Sequence, residues 1–197
     1  MDLPKLIILR HGETAWNIEG RVQGRQDSAL TETGRAQAAT QGRLLQGLPE
    51  VKSGSVRVLC SPLGRARATA TIALRGLPLA IKLNARLQEV SAGDWEGRTR
   101  DDLFAEFGGE GGITNEFDLF TSAPGGERYD DLEARCRAFL NDLSGPTVAI
   151  THGVTSLMLR GLACGLSRAA MEALPRGQGC LYVIDQGRET CVSETAT

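Results

Sequence analysis

Histidine is scarce in this sequence, aromatic residues are few, and neither sign of charge dominates. The 197 residues include two histidines, and aromatic residues make up 5% of the chain. Lysine and arginine total 22 against 24 aspartates and glutamates, which gives a formal net charge of −2. A general nucleic-acid-binding protein usually carries a basic excess, so we expect no nucleic-acid partner, although a locally basic pocket is compatible with this balance.

Long apolar runs and paired cysteine motifs are also missing. No apolar run approaches the roughly 20 residues of a membrane-spanning helix, and residues 1–4 show no secretory signal. The cysteines are widely spaced, without a Cys-x-x-Cys pair: Cys60, Cys136, Cys164, Cys180 and Cys191. An odd, scattered set is typical of reduced thiols rather than of a disulfide framework or a zinc site. We therefore expect a cytoplasmic protein without membrane contacts.

Several common catalytic motifs are absent as well. The glycine-rich stretch 108–112 lacks the Gly-Lys-Ser/Thr ending of a phosphate-binding loop, and no Gly-x-Ser-x-Gly nucleophile motif occurs. No dinucleotide fingerprint follows the first apolar run, and no His-x-x-x-His or close carboxylate cluster suggests a metal. We therefore expect neither a metal nor a cofactor.

The two histidines that are present occupy matched settings. The apolar run Leu6–Leu9 stops at Arg10-His11, and the apolar run 148–150 leads through a threonine to His152. A glycine follows each histidine. Short continuous apolar runs of this kind are typical of strands buried on both faces of a parallel sheet. A single histidine at a strand end is usually structural or solvated, but two in the same context favour a shared function.

Predicted strands alternate with predicted helices along the chain. Strands are expected at 6–9, 56–60, 79–83, 147–151 and 180–184, with 189–193 as the second arm of an edge hairpin. Helices are expected at about 31–46, 63–74, 99–107, 127–143, 155–166 and 167–175, with N-caps at Thr31, Thr99 and Ser167. This alternation predicts an α/β fold, a three-layer sandwich with a mostly parallel central sheet.

The length of the chain predicts one domain over residues 1–197.

Two stretches show no clear periodicity of apolar residues. Residues 15–27 are predicted to be a loop, and about 98–126 is predicted to be an insertion over the active site, least regular at 108–126, which contains six glycines. The phenylalanines of that stretch favour a packed insertion over a linker.

Cationic residues follow three of the predicted strands. Arg10 and His11 follow the first strand, Arg65 lies just after the second, and His152 follows the fourth. Ligands of open α/β sheets bind beyond the carboxyl ends of the strands. Arginine forks and helix N-termini suit phosphate oxygens, and a neutral imidazole can attack phosphorus.

A carboxylic acid could protonate the leaving oxygen in such a reaction. The candidates are Glu89, Glu13, Asp94 and Glu96. The alternative for each charged residue considered alone is an ordinary solvated side chain, and that alternative stays open at this point.

The ordered motifs of this chain resemble those of the histidine phosphatase superfamily, also called the phosphoglycerate mutase-like family. They are Leu9-Arg10-His11-Gly12-Glu13-Thr14-x-Trp16-Asn17, Asp27-x-x-Leu30-Thr31-x-x-Gly34, Ser61-Pro62-Leu63-x-Arg65-Ala66, Leu87-x-Glu89, Gly93-x-Trp95-Glu96-Gly97, Pro124-Gly125-Gly126-Glu127 and Thr151-His152-Gly153. The resemblance implies the phosphoglycerate mutase-like α/β fold and a site that works without a metal.

The resemblance also assigns roles. It implies that His11 is the nucleophile, transiently phosphorylated, and that Glu89 is the proton donor. Residues expected to bind the phosphoryl group or line the substrate side of the pocket are Arg10, Asn17, Gln23, Gly24, Arg65, His152 and Gly153.

The family contains both mutases and phosphatases. The resemblance implies that a glycolytic mutase would carry a basic segment with an arginine pair in the region after Trp-Glu-Gly, whereas 108–126 contains no lysine or arginine and three acids, Glu110, Glu116 and Asp118. Gln23, where mutases typically have threonine, also departs from the mutase pattern.

We therefore expect a hydrolase, a histidine acid phosphatase-type phosphomonoesterase of the broad-specificity or ribazole-phosphate type, acting on a small-molecule phosphate ester. Cofactor-dependent mutase-type phosphoryl transfer is the first alternative, and a phosphate-ester-binding regulatory module without significant turnover is the second. The sequence leaves a homodimer open.

Overall fold

A computed structural model describes residues 3–109 and 112–194 of the chain. Its strands are β1 Leu6–Arg10, β2 Arg57–Cys60, β3 Ile81–Leu83, β4 Thr147–Thr151, β5 Leu181–Asp185 and β6 Arg188–Val192. They form one sheet in the order β3-β2-β4-β1-β5-β6. The neighbouring strands from β3 to β1 are parallel to one another. Strand β5 is antiparallel to β1, and β6 is antiparallel to β5. The predicted mostly parallel sheet is confirmed.

Helices cover both faces of this sheet. The α-helices are α1 Ala15–Ile18, α2 Glu32–Gly47, α3 Pro49–Lys52, α4 Gly64–Ala73, α5 Arg100–Phe107, α6 Glu116–Thr121, α7 Tyr129–Asn141, α8 Gly153–Ala163 and α9 Arg168–Glu172. Two 3₁₀ turns lie at Ala85–Leu87 and Gly93–Trp95. The three-layer α/β fold is therefore confirmed.

The central strand β1 divides the hydrophobic core. Leu6 and Ile8 pack with residues of α7 and α8 on one face, while Ile7 and Leu9 pack with residues of α2 and α4 on the other. Successive side chains of a strand point to opposite faces, and all four of these are fully buried. A strand buried on both faces needs a continuous apolar run, which is why this segment shows no polar alternation.

Short polar side chains begin several helices as predicted. The Thr31 hydroxyl accepts a hydrogen bond from the Gly34 amide at 2.9 Å. The Thr99 and Ser167 hydroxyls do the same for α5 and α9. Each bond satisfies an amide that has no partner within its helix, typically contributing about 1 kcal/mol.

The prediction of irregular backbone is wrong at two places. Residues 15–18 form a helical turn because Thr14 and Asn17 make a reciprocal capping box. Glu116–Thr121 forms α6 because the Asn115 side chain accepts from the Asp118 amide at 3.0 Å. Side-chain caps stabilise the first turns of these helices, although no long periodic pattern of apolar residues indicates a helix there. Glu110, which the sequence also placed in this acidic stretch, lies outside the described residues.

The carboxyl ends of β1, β2 and β4 meet at one edge of the sheet. Arg10 of β1 lies beside Thr151 of β4 in register, and the next amide along, that of His11, donates to the Thr151 carbonyl at 3.0 Å. The two segments that follow these strands are therefore held side by side. Among the described residues, no helix has both the length and the apolar character needed to cross a membrane.

Candidate active site

The two histidines of the chain meet at this sheet edge. The centroids of the His11 and His152 rings are 5.2 Å apart. His11 is 3% exposed and His152 is fully buried. Adjacent parallel strands in register place the residues that follow them together, so the juxtaposition predicted from the matched sequences is what the sheet produces.

Two neighbours fix the state of the His11 ring. Its Nδ1 donates to the Gly12 carbonyl at 2.8 Å, and its Nε2 accepts from Arg65 Nε at 3.2 Å. A carbonyl can only accept and a guanidinium can only donate, so the proton lies on Nδ1 and the lone pair on Nε2. Burial, followed by the charges of Arg65 and Arg10, holds the pKa of His11 well below its ordinary value. His11 is thus a neutral imidazole with an unprotonated Nε2.

His152 has a different set of partners. Its Nε2 lies 2.7 Å from the Ser61 hydroxyl, while its buried Nδ1 has no hydrogen-bond partner among the described residues. Burial first, and then the charge of Arg65, holds the pKa of His152 well below its ordinary value. If Ser61 donates to Nε2, the proton of the neutral ring lies on Nδ1.

Arg65 is buried and held by the loop that precedes α2. Its guanidinium donates to the carbonyls of Gln26 at 2.6 Å and Gly24 at 2.8 Å, and it pairs with Asp27 at 2.9 Å. Asp27 also accepts from the Gly64 and Arg65 amides, so it caps the N-terminus of α4. This network aims the Nε of Arg65 at His11.

Arg10 reaches the same place from the end of β1. One nitrogen donates to the Arg176 carbonyl at 2.7 Å, and the buried Nε has no partner within the described residues. Burial lowers the pKa of Arg10. The guanidinium also lies against the backbone of Gly153, where a Cβ would stand 3.5 Å from its central carbon. Arg10 therefore presents unused donor capacity beside the two histidines.

Glu89 is buried at the start of α8. Its carboxylate accepts from the amides of Val90, Val154 and Thr155 and from the Thr155 hydroxyl, at 3.0–3.1 Å. Negative charge at a helix N-terminus is stabilised by the free amides and the helix dipole. Because α8 begins directly after His152, this contact fixes Glu89 relative to the histidine pair.

Gly24 and Gly12 are required by close packing at the site. Gly24 has φ +51°, and a Cβ there would lie 2.1 Å from a carboxylate oxygen of Glu96. A Cβ on Gly12 would lie 2.2 Å from the Gly34 carbonyl oxygen. A side chain at Gly24 would displace the Glu96 carboxylate and strain the backbone, and a side chain at Gly12 would displace the turn that holds His11.

The substrate-side residues predicted from the resemblance line a common cavity of about 360 Å³. The Gln23 amide nitrogen donates to the Thr14 hydroxyl at 2.8 Å, and the Asn17 side-chain oxygen accepts from the Thr14 amide at 3.1 Å. The cavity wall consists of Arg10, His11, Glu13, Asn17, Arg21, Gln23, Gly24, Arg65, Glu89, Arg100, Glu116, Phe120, Gly153, Val154, Leu157, Arg176 and Gln178.

The structure separates the candidate residues into two groups. Of the four carboxylates considered as proton donors, Glu89 and Glu13 line the cavity, whereas Asp94 and Glu96 do not. Glu96 instead accepts hydrogen bonds from the Arg25 and Ala92 amides and stabilises its own loop.

The fully buried His152 lies beside His11 but is not part of the cavity wall. In the described ranges, no group of three or more His, Cys, Asp or Glu side chains could hold a metal ion.

A family model for the histidine phosphatase superfamily (branch 1) matches residues 6–196. The chain belongs to the histidine phosphatase superfamily. The match covers every site segment described above, which confirms the family indicated by the sequence motifs.

Relatives within the superfamily carry both phosphatase and mutase names. A glucosyl-3-phosphoglycerate phosphatase from Mycobacterium tuberculosis is 30% identical over 185 residues, covering 87% of this chain and 77% of that protein. A probable phosphoglycerate mutase, GpmB, from Erwinia tasmaniensis is 41% identical over 102 residues. That alignment spans 52% of this chain and 45% of the mutase's length.

Solved structures show the same fold. The crystal structure of a putative alpha-ribazole-5'-P phosphatase from Escherichia coli superposes with a TM-score of 0.80 at 29% identity, covering 98% of this chain and 97% of that one. The likeness extends over the whole sheet and its helices.

This superfamily member has cavity residues that the sequence did not indicate. They are Arg21, Arg100, Glu116, Phe120, Arg176 and Gln178, with Val154 and Leu157 on the apolar wall. Three of these residues, Arg21, Arg100 and Arg176, bring positive charge to the cavity from segments other than 108–126.

Topology explains why Arg176 and Gln178 escaped detection. Both precede β5, and residues that precede a parallel strand lie at the edge opposite the ligand site. Because β5 runs antiparallel to β1, its N-terminal end lies at the same edge as the carboxyl end of β1. Gln178 accordingly donates to the His11 carbonyl at 3.0 Å. The hairpin pattern over 180–193 was the available signal, since a hairpin at the sheet edge implies an antiparallel strand.

Proposed function

We propose that this protein is a metal-independent phosphomonoesterase that hydrolyses small phosphate esters through phosphorylated His11. One observation carries the proposal: a buried, neutral imidazole holds its unprotonated Nε2 beside Arg65, with its other nitrogen fixed on Gly12. This is the protonation state that a nucleophilic imidazole needs.

The first half-reaction transfers the phosphoryl group to the protein. The Nε2 lone pair of His11 forms an N–P bond while the ester P–O bond breaks, and its electron pair leaves with the alcohol oxygen. The negative charge of the bound phosphate favours protonation of Glu89, which then supplies the proton that makes this oxygen a neutral alcohol. Its place in the cavity wall, at the start of α8, supports this role.

The second half-reaction returns the enzyme to its starting state. Water attacks the phosphorus, Glu89 takes a proton from that water, and the N–P electron pair returns to Nε2. Orthophosphate is released, and Glu89 is again protonated for the next cycle. Glu89 thus acts first as acid and then as base.

Unused donors beside His11 support charge stabilisation in both steps. The Nε of Arg10 and the Nδ1 of His152 are buried and lack partners among the described residues. Fixed donors that face developing charge lower the barrier because they need no reorganisation. Two arginines and a histidine can thereby take the part that a metal ion plays in other phosphoryl-transfer enzymes.

Hydrolysis is favoured over mutase chemistry by the acidic contribution of α6. A mutase must keep a bisphosphorylated intermediate bound, yet Glu116 places a carboxylate on the cavity wall. A regulatory module without turnover would have no use for both a nucleophile and a proton donor.

The decisive experiment combines turnover with intermediate trapping. We expect wild-type protein to hydrolyse p-nitrophenyl phosphate in the presence of EDTA and to yield an acid-labile, base-stable phosphoprotein when quenched. Turnover and labelling should both vanish in His11→Ala. Arg67→Ala, a change in the exposed neighbour of Arg65 on α4, serves as the matched control and should leave both unchanged. Hydrolysis that survives in His11→Ala would refute the proposal.

Mutase activity is measured on the same preparation. Bisphosphoglycerate-dependent isomerisation of phosphoglycerate that outpaces its hydrolysis would replace phosphatase with mutase as the function.

A further inference from the structure

We propose that Glu116 is a specificity-determining residue that occupies two outer arginines of the cavity, Arg100 and Arg176, and thereby favours phosphate esters whose alcohol part is uncharged. This inference rests on the proposed phosphatase function, because it concerns which ester enters the same cavity.

The cavity has an inner and an outer half. His11, Arg10, Arg65 and Glu89 form the inner half, at the sheet edge. The outer half includes Arg21 and three further charged side chains, Arg100, Glu116 and Arg176. A bound phosphoryl group occupies the inner half in the proposed reaction, so the outer half faces the rest of the substrate.

Glu116 lies between two of the outer arginines. Its Oε1 is paired with Nη1 of Arg100 and lies 4.0 Å from Nη1 of Arg176. The Glu116 side chain is 18% exposed, against 31% for Arg100 and 36% for Arg176. The carboxylate is therefore the least solvated of the three and sits inside the pair of cations rather than on the surface beyond them.

The remaining outer cation is also engaged. Arg21 pairs with Glu19 at 2.6 Å and donates to the Gly97 carbonyl at 2.7 Å. Arg176 further donates to the Glu172 carbonyl, and the Arg100 guanidinium lies 5.6 Å from the centre of the Phe120 ring. Each outer arginine thus already faces an acceptor or an aromatic ring of the protein itself.

The inner half presents the opposite situation. Arg10 has a buried nitrogen without a hydrogen-bond partner among the described residues, whereas Arg100 uses one of its donors for Glu116. An incoming anion therefore finds open donors at the inner position. At the outer position it must displace Glu116 or lie beside its negative charge, and like charges at such distances repel.

The same carboxylates favour hydroxyl groups. The side chains of Glu116 and Glu13 accept hydrogen bonds in the structure, and the neighbouring arginines can only donate. A hydroxyl both donates and accepts, so a polyol or sugar portion can satisfy both kinds of group. Phe120 and Leu157 add apolar wall beside them. The class of substrate that fits is a phosphomonoester of an uncharged, hydroxyl-bearing alcohol.

Two substrates that differ only in the second charge test this inference. Glycerol 3-phosphate and 3-phosphoglycerate share a three-carbon skeleton, but the second carries a carboxylate in place of a hydroxymethyl group. We expect the wild-type enzyme to prefer glycerol 3-phosphate. In Glu116→Gln, which keeps the shape and removes the charge, we expect kcat/KM for 3-phosphoglycerate to rise about tenfold, chiefly through KM. The value for glycerol 3-phosphate should stay unchanged or fall.

Control variants separate specificity from a purely structural role. Asp118→Asn removes a carboxylate from the same helix, but Asp118 pairs with Arg168 outside the cavity wall, so the substrate ratio should not change. Arg100→Gln, added to Glu116→Gln, should abolish the gain for 3-phosphoglycerate. Equal losses for both substrates in Glu116→Gln would overturn the inference and leave Glu116 as a structural anchor of α6.

A binding measurement keeps this result independent of turnover. In the His11→Ala background, calorimetry should show that Glu116→Gln tightens 3-phosphoglycerate binding about tenfold without tightening glycerol 3-phosphate. Hydrolysis of p-nitrophenyl phosphate by wild-type protein reports separately on the proposed function. Unchanged binding selectivity, with hydrolysis intact, would refute the role of Glu116 alone.

Discussion

The two His-Gly turns of this chain have nearly the same sequence setting but different chemical surroundings. Both follow strands buried in the centre of the sheet, and burial lowers the pKa of both histidines. At His11, Nδ1 is fixed on the Gly12 carbonyl and Nε2 faces Arg65. At His152, Nε2 is taken by Ser61 and Nδ1 is left without a partner in the described structure.

The comparison teaches that local sequence delivers a histidine and distant partners give it a role. Arg65 and Ser61, which distinguish the two rings, both come from the segment after β2. They leave an unprotonated nitrogen beside Arg65 on one ring and a nitrogen without a described partner on the other. We therefore assign the covalent step to His11 and phosphoryl stabilisation to His152, and the substitutions and the pH profile below test these roles.

Removal of the nucleophile should have the largest effect. His11→Ala should lower kcat for p-nitrophenyl phosphate by at least about 10⁴-fold, because the proposed reaction proceeds through phosphorylated His11. Rapid-quench labelling should detect no phosphohistidine. Labelled protein in this variant would transfer the covalent role to His152 and reverse the comparison. Circular dichroism verifies that the variant is folded.

Replacement of the proton donor should have an effect that depends on the leaving group. Glu89→Gln should lower kcat about 10²- to 10⁴-fold for an alkyl phosphate, whose alkoxide needs a proton. The loss should be much smaller for p-nitrophenyl phosphate, whose phenolate leaves readily. The ratio of the two rates is the measurement, since equal losses would show that Glu89 only holds the start of α8.

Removal of the second histidine should reduce the rate while leaving the covalent step intact. His152→Ala should cost about 10²- to 10³-fold in kcat, the range for loss of one stabilising donor. Phosphorylated His11 should still be trapped in this variant. A loss as large as that of His11→Ala, without labelled protein, would mean that the two histidines act as one unit.

The parts of this molecule that could be predicted from sequence are those set by strand ends. Arg10, His11 and His152 lie at the ends of apolar runs that form parallel strands. The apolar pattern and the parallel topology were therefore enough to predict that they lie close together. Asn17, Gln23 and Gly24 were found only through the family resemblance, because their positions depend on loop contacts such as the one between Gly24 and Arg65.

The outer half of the cavity could not be predicted in the same way. Arg176 and Gln178 enter through an antiparallel strand in a sheet expected to be mostly parallel. Glu116 belongs to a six-residue helix that begins with an asparagine cap rather than a recognisable apolar stripe. The acidic character of that stretch was visible in the sequence, but its contact with Arg100 and Arg176 depends on tertiary packing.

The partner of His152 offers a smaller test of the comparison. Ser61→Ala should lower kcat about tenfold, because the His152 ring loses the hydrogen bond that orients it beside His11. Ser61→Thr keeps the hydroxyl and should recover part of the rate. The same loss in both variants would indicate a packing defect at this fully buried position rather than the loss of a hydrogen bond.

The pH profile should show the smallest effect on the acid side. A histidine is nucleophilic when neutral, so the active form of His11 prevails above its pKa, which burial and two arginines place well below 6.5. As the pH falls from 7.5 towards 6, we therefore expect kcat/KM to fall by less than about twofold through protonation of His11, because kcat/KM reports groups of the free enzyme. The profile should be measured with an aryl phosphate and with an alkyl phosphate. The two substrates ionise at different pH values, so a limb that both profiles share belongs to a group of the enzyme. A shared acid limb centred at 6.5 or above would show that His11 titrates like a solvated histidine, and the distinct environment assigned to it would be wrong.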